Sequence, residues 1–164
     1  MGELIIASFK DKLCICDWRF RKMRNSIDTR ITNGINASLK HQDSEVIQST
    51  IKQLNEYFLK EREQFSIPLL LVGTDFQKQV WNELMNIPYG TTESYLSLSK
   101  KLGNENAVRA VASANGANAI SIIVPCHRII GSGGDLVGYA GGLPAKKKLL
   151  ELEGYRTDNQ MKLF

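Results

Sequence analysis

Thr74-Asp75-Phe76-Gln77-Lys78-Gln79-Val80-Trp81-Asn82-Glu83-Leu84-Met85-Asn86 decides how the second half of this chain folds. A Thr followed three residues later by Gln is a capping-box signature, in which hydroxyl and amide satisfy N–H groups left free where a helix begins. Phe76, Val80, Trp81, Leu84 and Met85 recur at helical spacing, so an amphipathic helix is predicted from Asp75 to Asn86. Pro88-Tyr89-Gly90 ends it. A second helix is expected from Thr92 to Leu102, with Tyr95, Leu98 and Leu102 inward and Gly103 as its cap. Asn104 caps a third, from Glu105 to Asn115. Its side chains are small (Ala107, Ala110, Ala112, Ser113, Ala114) around a single Arg109, so its surface can approach another backbone closely. Short helices joined by a tight turn fit either a packed helical hairpin or a helix-turn-helix that reads DNA.

Toward the C-terminus, Ile120 to Val124 is expected as a buried strand, followed by Pro125-Cys126-His127-Arg128 and the glycine-rich loop Gly131-Ser132-Gly133-Gly134. Pro144 at a helix N1 position opens a last helix, with Leu149, Leu150 and Leu152 apolar and Glu153 near its end. Toward the N-terminus, Phe65 to Val72 is an apolar run broken by Pro68, which predicts an edge strand or extended linker. From Ser44 a helical stripe runs through Val46, Ile47, Thr50, Ile51, Leu54, Tyr57 and Phe58. Leu4 to Phe9 and Leu13 to Trp18 form a hairpin about Lys10-Asp11-Lys12. Arg19 to Lys40 is polar and poorly periodic, and yields no assignment.

With 164 residues, 43% hydrophobic and 23% charged, the chain can bury a sizeable core without staples. No apolar stretch approaches the roughly 20 residues of a membrane span. The net charge of +4 suits a nucleic-acid partner but equally an ordinary soluble domain. Cys14, Cys16 and Cys126 make an odd count with no paired spacing, which argues against a disulfide framework and fits a reducing compartment. Cys126 stands beside His127, which can take its proton, and Arg128, whose charge would raise the thiolate fraction. Neighbours on a strand point to opposite faces, so the proton would pass through a turn or a water. Taken alone, the pair could equally be a buried structural Cys beside an incidental His.

Beyond that pair, the C-terminal half resembles the O6-alkylguanine-DNA alkyltransferase family. Pro125-Cys126-His127-Arg128 matches its active-site tetrapeptide, and Gly73, Thr74, Phe76, Gln77, Val80 and Trp81 match its opening block. Ile87-Pro88-Tyr89-Gly90 with Ser94-Tyr95, Arg109-Ala110-Val111, Asn118, Gly138 to Leu143, Lys146 and Glu153 follow at the family's spacing. The family usually has Pro where this chain has Ala119, and often Gly where it has Ala112.

The resemblance implies an α+β chain in two parts. Residues 1–73 would be a small antiparallel sheet with helices, ribonuclease H-like. Residues 74–164 would be a mostly helical, winged-helix-like domain with a helix-turn-helix. It implies irreversible, single-turnover transfer of an alkyl group from O6-alkylguanine, flipped out of double-stranded DNA, to Cys126. His127 would deprotonate Cys126 through a water, Glu153 would orient the imidazole, Asn118 would brace the turn, and Tyr95 would donate toward the leaving base. Arg109, Ala110, Ala112, Ser113, Thr92, Ser94 and Arg128 would contact DNA. Tyr95, Pro125, Val137, Gly138, Tyr139 and Ala140 would wall the pocket. No cofactor and no metal are expected: Cys14, Cys16 and His41 are poorly spaced for zinc. The protein is expected to be a soluble monomer of the cytoplasm, or of the nucleus in a eukaryote, away from membranes.

Three rivals stand beside this reading. A non-catalytic lesion-binding module would carry another residue at position 126. An S-adenosylmethionine methyltransferase would need a Rossmann-type strand and acid around the glycine-rich loop. A cysteine hydrolase would turn over repeatedly.

Overall fold

The computed structural model describes residues 2–155; the end of the segment expected to run from 74 to 164 lies outside them. The hairpin forms as expected, with β1 (Leu4–Phe9) antiparallel to β2 (Lys12–Trp18). Its turn residues Lys10 and Asp11 have φ of 47° and 58°, the paired left-handed conformation whose twist matches that of the strands. The Phe65 to Val72 run lies against β2. Leu13 N donates to Pro68 O and Leu70 N to Leu13 O, both at 2.8 Å. The second half also docks on β2, where Cys16 N donates to Ala119 O at 2.9 Å.

The unassigned polar stretch contains a helix, α1 (Arg24–Ile35). Its sequence gives little warning because only Ile27 and Ile31 are buried and its N-cap, Met23, offers no side-chain bond. α2 (Glu45–Phe58) begins at Ser44, whose hydroxyl accepts from Ile47 N. It buries Thr50, Gln53, Leu54 and Tyr57. Ile51, expected on that stripe, is instead 38% exposed.

α3 (Asp75–Met85) forms with both bonds of its capping box, and Asn86 is its C-cap. The helix expected from Thr92 starts later. Glu93–Ser94 is a short strand, β3, and α4 spans Tyr95–Lys101 with Ser94 as N-cap. β3 pairs in parallel with β4 (Ile129–Ile130), so tertiary pairing claims backbone that local pattern assigned to a helix. Asn104 caps a 3-10 turn, Glu105–Ala107, that leads into α5 (Val108–Gly116). Trp81 Nε1 donates to Ala114 O at 2.8 Å and ties α3 to α5. α6 (Leu143–Leu152) closes the described chain, with Pro144 in its first turn.

Ile120 to Val124 is not a strand. The run is buried but doubles back, with Ile123 N donating to Ser121 O, Val124 N to Ile120 O, and Ile122 at φ 74°. Its apolar content reports burial rather than extension. The main core draws on both halves, with Leu13, Trp18 and Tyr57 packed among Trp81, Leu98, Ile129 and Leu149. Among the described residues, no helix is long and apolar enough to cross a membrane.

Candidate active site

Asn118 organises the turn that carries the cysteine. Its Oδ1 accepts from Ile120 N at 2.9 Å, and its Nδ2 donates to Val124 O at 2.9 Å and to Cys126 Sγ at 3.2 Å. One buried side chain thus holds both ends of the turn and the sulfur beyond it. Cys126 begins a 3-10 turn, Cys126–Arg128, and is 2% exposed at the edge of an open cleft. Burial pushes its thiol up to about 11, with Asp17 adding to the rise while Asn118, Lys146 and Arg21 oppose it. The resting sulfur is therefore protonated at neutral pH, contrary to the expectation of a thiolate raised by its neighbours.

His127 and Arg128, adjacent in sequence, converge on one carboxylate. Glu153 Oε1 accepts from His127 Nε2 at 2.8 Å and from Tyr57 Oη at 2.7 Å. Arg128 donates to both oxygens, Nε to Oε2 at 2.9 Å and Nη2 to Oε1 at 3.0 Å. Gly90 N adds a bond to Oε2, and a Cβ at Gly90 would lie 2.8 Å from Glu153 O. Burial alone would raise the Glu153 carboxyl, but the bonds from His127 and Arg128 outweigh it and hold the group at about 2. Burial holds the His127 imidazolium below its ordinary range despite Glu153, so the ring is neutral at pH 7. An anionic acceptor at Nε2 assigns the proton to that nitrogen. Nδ1 is then a lone-pair base, buried and without a partner among the described protein atoms.

The cleft, about 750 Å³, is lined on one side by Tyr95, Ala112 and Asn115 and on another by Gly138, Tyr139 and Ala140. Asn115 Nδ2 donates to Tyr95 Oη at 3.4 Å. Burial and the nearby Cys126 raise the Tyr95 phenol, which keeps it a donor. Trp18 Nε1 donates to Tyr139 Oη at 3.1 Å, and a Cβ at Gly141 would meet the Trp18 ring at 2.5 Å, so only glycine fits there.

Two family profiles match this chain. One, described as 6-O-methylguanine DNA methyltransferase, ribonuclease-like domain, matches residues 1–71. The other, described as 6-O-methylguanine DNA methyltransferase, DNA binding domain, matches residues 75–155. The chain belongs to the 6-O-methylguanine DNA methyltransferase family. It is 39% identical over 150 residues to the constitutive methylated-DNA–protein-cysteine methyltransferase of Bacillus subtilis, covering 92% of this chain and 87% of that one. It is 48% identical over 122 residues to the enzyme of that name from Mycobacterium bovis, 74% of each chain. The Mycobacterium tuberculosis OGT solved in complex with DNA superposes with a TM-score of 0.78 at 38% identity, covering 93% of this chain and 89% of that one.

The remaining residues singled out by the family resemblance fall into two groups. Arg109, Ala110 and Ser113 are exposed on α5, Ala112 is half-buried beside the cleft, and Thr92 and Ser94 are half-buried. Arg128 is not on that surface: it is 6% exposed, and with Nη1 donating to Ile87 O at 2.6 Å its guanidinium is committed to the Glu153 site. Pro125 does not line the cleft either; it faces a separate groove beside Tyr89 and Phe65. Val137, 37% exposed, does not line the cleft either; its carbonyl accepts from Lys146 Nζ at 2.6 Å.

Several contributors escaped the sequence reading of roles. Fully buried Lys146 also donates to Ile129 O, so it fastens the pocket loop to β4, and burial brings its ammonium down to about 8. Tyr57, Trp18 and Asn115 carry no sequence signal beyond helical or strand periodicity. Among the described residues, no cluster of three His, Cys, Asp or Glu side chains is placed to hold a metal.

Proposed function

We propose that this chain is a single-use DNA repair protein that transfers the alkyl group of O6-alkylguanine in duplex DNA to its own Cys126. The observation that carries the reading is a buried sulfur at the edge of an open cleft, one residue from a neutral imidazole that an ionised carboxylate orients. The thiol proton passes to His127 Nδ1 through a water, and Glu153 stabilises the imidazolium that forms. Sγ attacks the alkyl carbon, the carbon–O6 bond breaks, and its electron pair stays on the guanine. Tyr95 supplies a proton to N3 of the base, so guanine leaves neutral, and the proton held on His127 returns through solvent to the Tyr95 phenolate. The product thioether is stable and no neighbouring group can remove it, so each molecule acts once.

A thiol at about 11 gives this scheme a further property. Deprotonation belongs to the engaged complex, which protects the resting sulfur from chance electrophiles.

The exposed, small-residue face of α5 supports entry into the minor groove, with Arg109 filling the space of the flipped nucleotide. Residues 1–73 serve as the structural part and 74–164 as the DNA-binding and transferase part, acting as a monomer in the cytoplasm or a nucleus, without cofactor. Incubation with a duplex bearing one O6-methylguanine should add a single methyl to the intact mass, located on Cys126. Cys126→Ser should bind the duplex and gain nothing; an unchanged mass for the unsubstituted protein would overturn the assignment.

A further inference from the structure

The cleft over Cys126 has a second rim, and it comes from the other half of the chain. Phe20, Lys22 and Met23 line its mouth together with Ala112 and Gly116 of α5. Phe20 is 81% exposed and Met23 72% exposed, two large apolar side chains held in water beside an active site. A short connection between a strand and a helix could fold such residues inward, but this one is pinned. Arg21 donates to buried Asp17 at 2.7 Å and to Asn118 O at 2.8 Å, and it also reaches Gly116 O. Arg24 donates to Asp17 at 2.9 Å. Arg21 therefore fastens the loop to the end of α5, and its neighbours point outward from a rigid mount. Lys22 is exposed and has no ion pair among the described residues.

We infer that residues 20–23 form a second DNA-contacting lip, which grips the strand carrying the flipped nucleotide while α5 occupies the groove. Lys22 pairs with a backbone phosphate, and Phe20 and Met23 lie against the deoxyribose faces next to it. The inference rests on the alkyltransferase reading of the same cleft. The described cleft over Cys126 is bordered by both α5 and this loop, so a nucleotide that enters it brings its sugar-phosphate chain alongside them. A cation beside apolar surface matches the chemistry of that chain, which alternates charged phosphates with apolar sugar faces.

The test measures binding of a fluorescein-labelled duplex containing one O6-methylguanine by anisotropy across a salt series. Losing one phosphate contact flattens the slope of log K against log salt by about 0.9. Lys22→Ala should therefore bind about 15-fold more weakly at about 0.05 M salt and about 5-fold more weakly at about 0.15 M. Lys22→Arg should restore the parental slope. Phe20→Gln with Met23→Gln should weaken binding several-fold at every salt concentration and leave the slope alone. These side chains are exposed, so thermal midpoints should match the parent and separate lost contact from lost fold. A parental slope for Lys22→Ala, or binding within about twofold of the parent for the double variant, overturns the lip. A parent that binds the duplex but takes no methyl overturns the alkyltransferase reading instead.

Discussion

Replacing Glu153 by Gln alters one atom at the point where four groups converge, and the structure sets the size of the loss. The carboxyl lies at about 2 against an ordinary 4.5, and its side chain is 0% exposed, so solvent screening does not discount the shift. At about 1.4 kcal/mol per unit, the ionised form contributes roughly 3 kcal/mol to folding at neutral pH. An independent route agrees: removing one partner of a buried ion pair costs about 3–5 kcal/mol, here because Arg128 is left without its counter-charge.

The sign follows from the direction of the shift. Stability from Glu153 is fully present above 4.5, declines as pH falls toward about 2, and is gone below it. Urea denaturation at neutral pH should show Glu153→Gln less stable by about 3 kcal/mol, with part of the parent's acid sensitivity removed. Methyl transfer from duplex should slow by about 10²- to 10⁴-fold, because the imidazole loses the anion that fixes its tautomer. A variant within about 1 kcal/mol of the parent, with an unaltered acid profile, would refute the ion-pair argument.

Alkylation of the resting protein by iodoacetamide should accelerate about tenfold per pH unit from neutrality upward at Cys126, followed by peptide mass mapping; a plateau near neutrality would show a thiol already ionised. Asn118→Ala removes the amide that holds Ile120, Val124 and the sulfur, and should cost about 2–3 kcal/mol in denaturation while raising the thiol further. Asp17→Asn leaves Arg21 and Arg24 short of their shared buried carboxylate, and the same measurement should register about 3–5 kcal/mol.

Local signals read well wherever the chain's own chemistry fixes the backbone. The capping box at Thr74 and Gln77 and the turn at Lys10 and Asp11 are self-contained, and their elements appear within a residue or two of expectation. Positions decided by distant partners read poorly. Glu93 and Ser94 join a strand that begins at Ile129, and the apolar run after Ala119 coils around Asn118 rather than extending. Cys126, His127, Asn118 and Glu153 were singled out by the family spacing, and the structure places Asn118 within hydrogen-bond reach of the sulfur and Glu153 within reach of the imidazole. Arg128, expected to contact DNA, is instead claimed by a carboxylate 25 positions away in sequence, a partner that no local pattern reveals. Trp18 and Tyr57 lie in the first half, outside the motifs that carry the resemblance, where periodicity reveals burial but not what a side chain touches.

The arginines that reach across from the first half have an evolutionary corollary. Arg21 and Arg30 cap carbonyls of Gly116, Ala117 and Asn118, where α5 runs out of its own donors. The two halves are consequently not interchangeable parts. A chimaera grafting this transferase segment onto a relative's leading segment would inherit a frayed helix end beside the nucleophile unless the incoming piece supplied equivalent guanidinium groups. Lineages that exchange or shed that leading segment must find another way to finish the same helix.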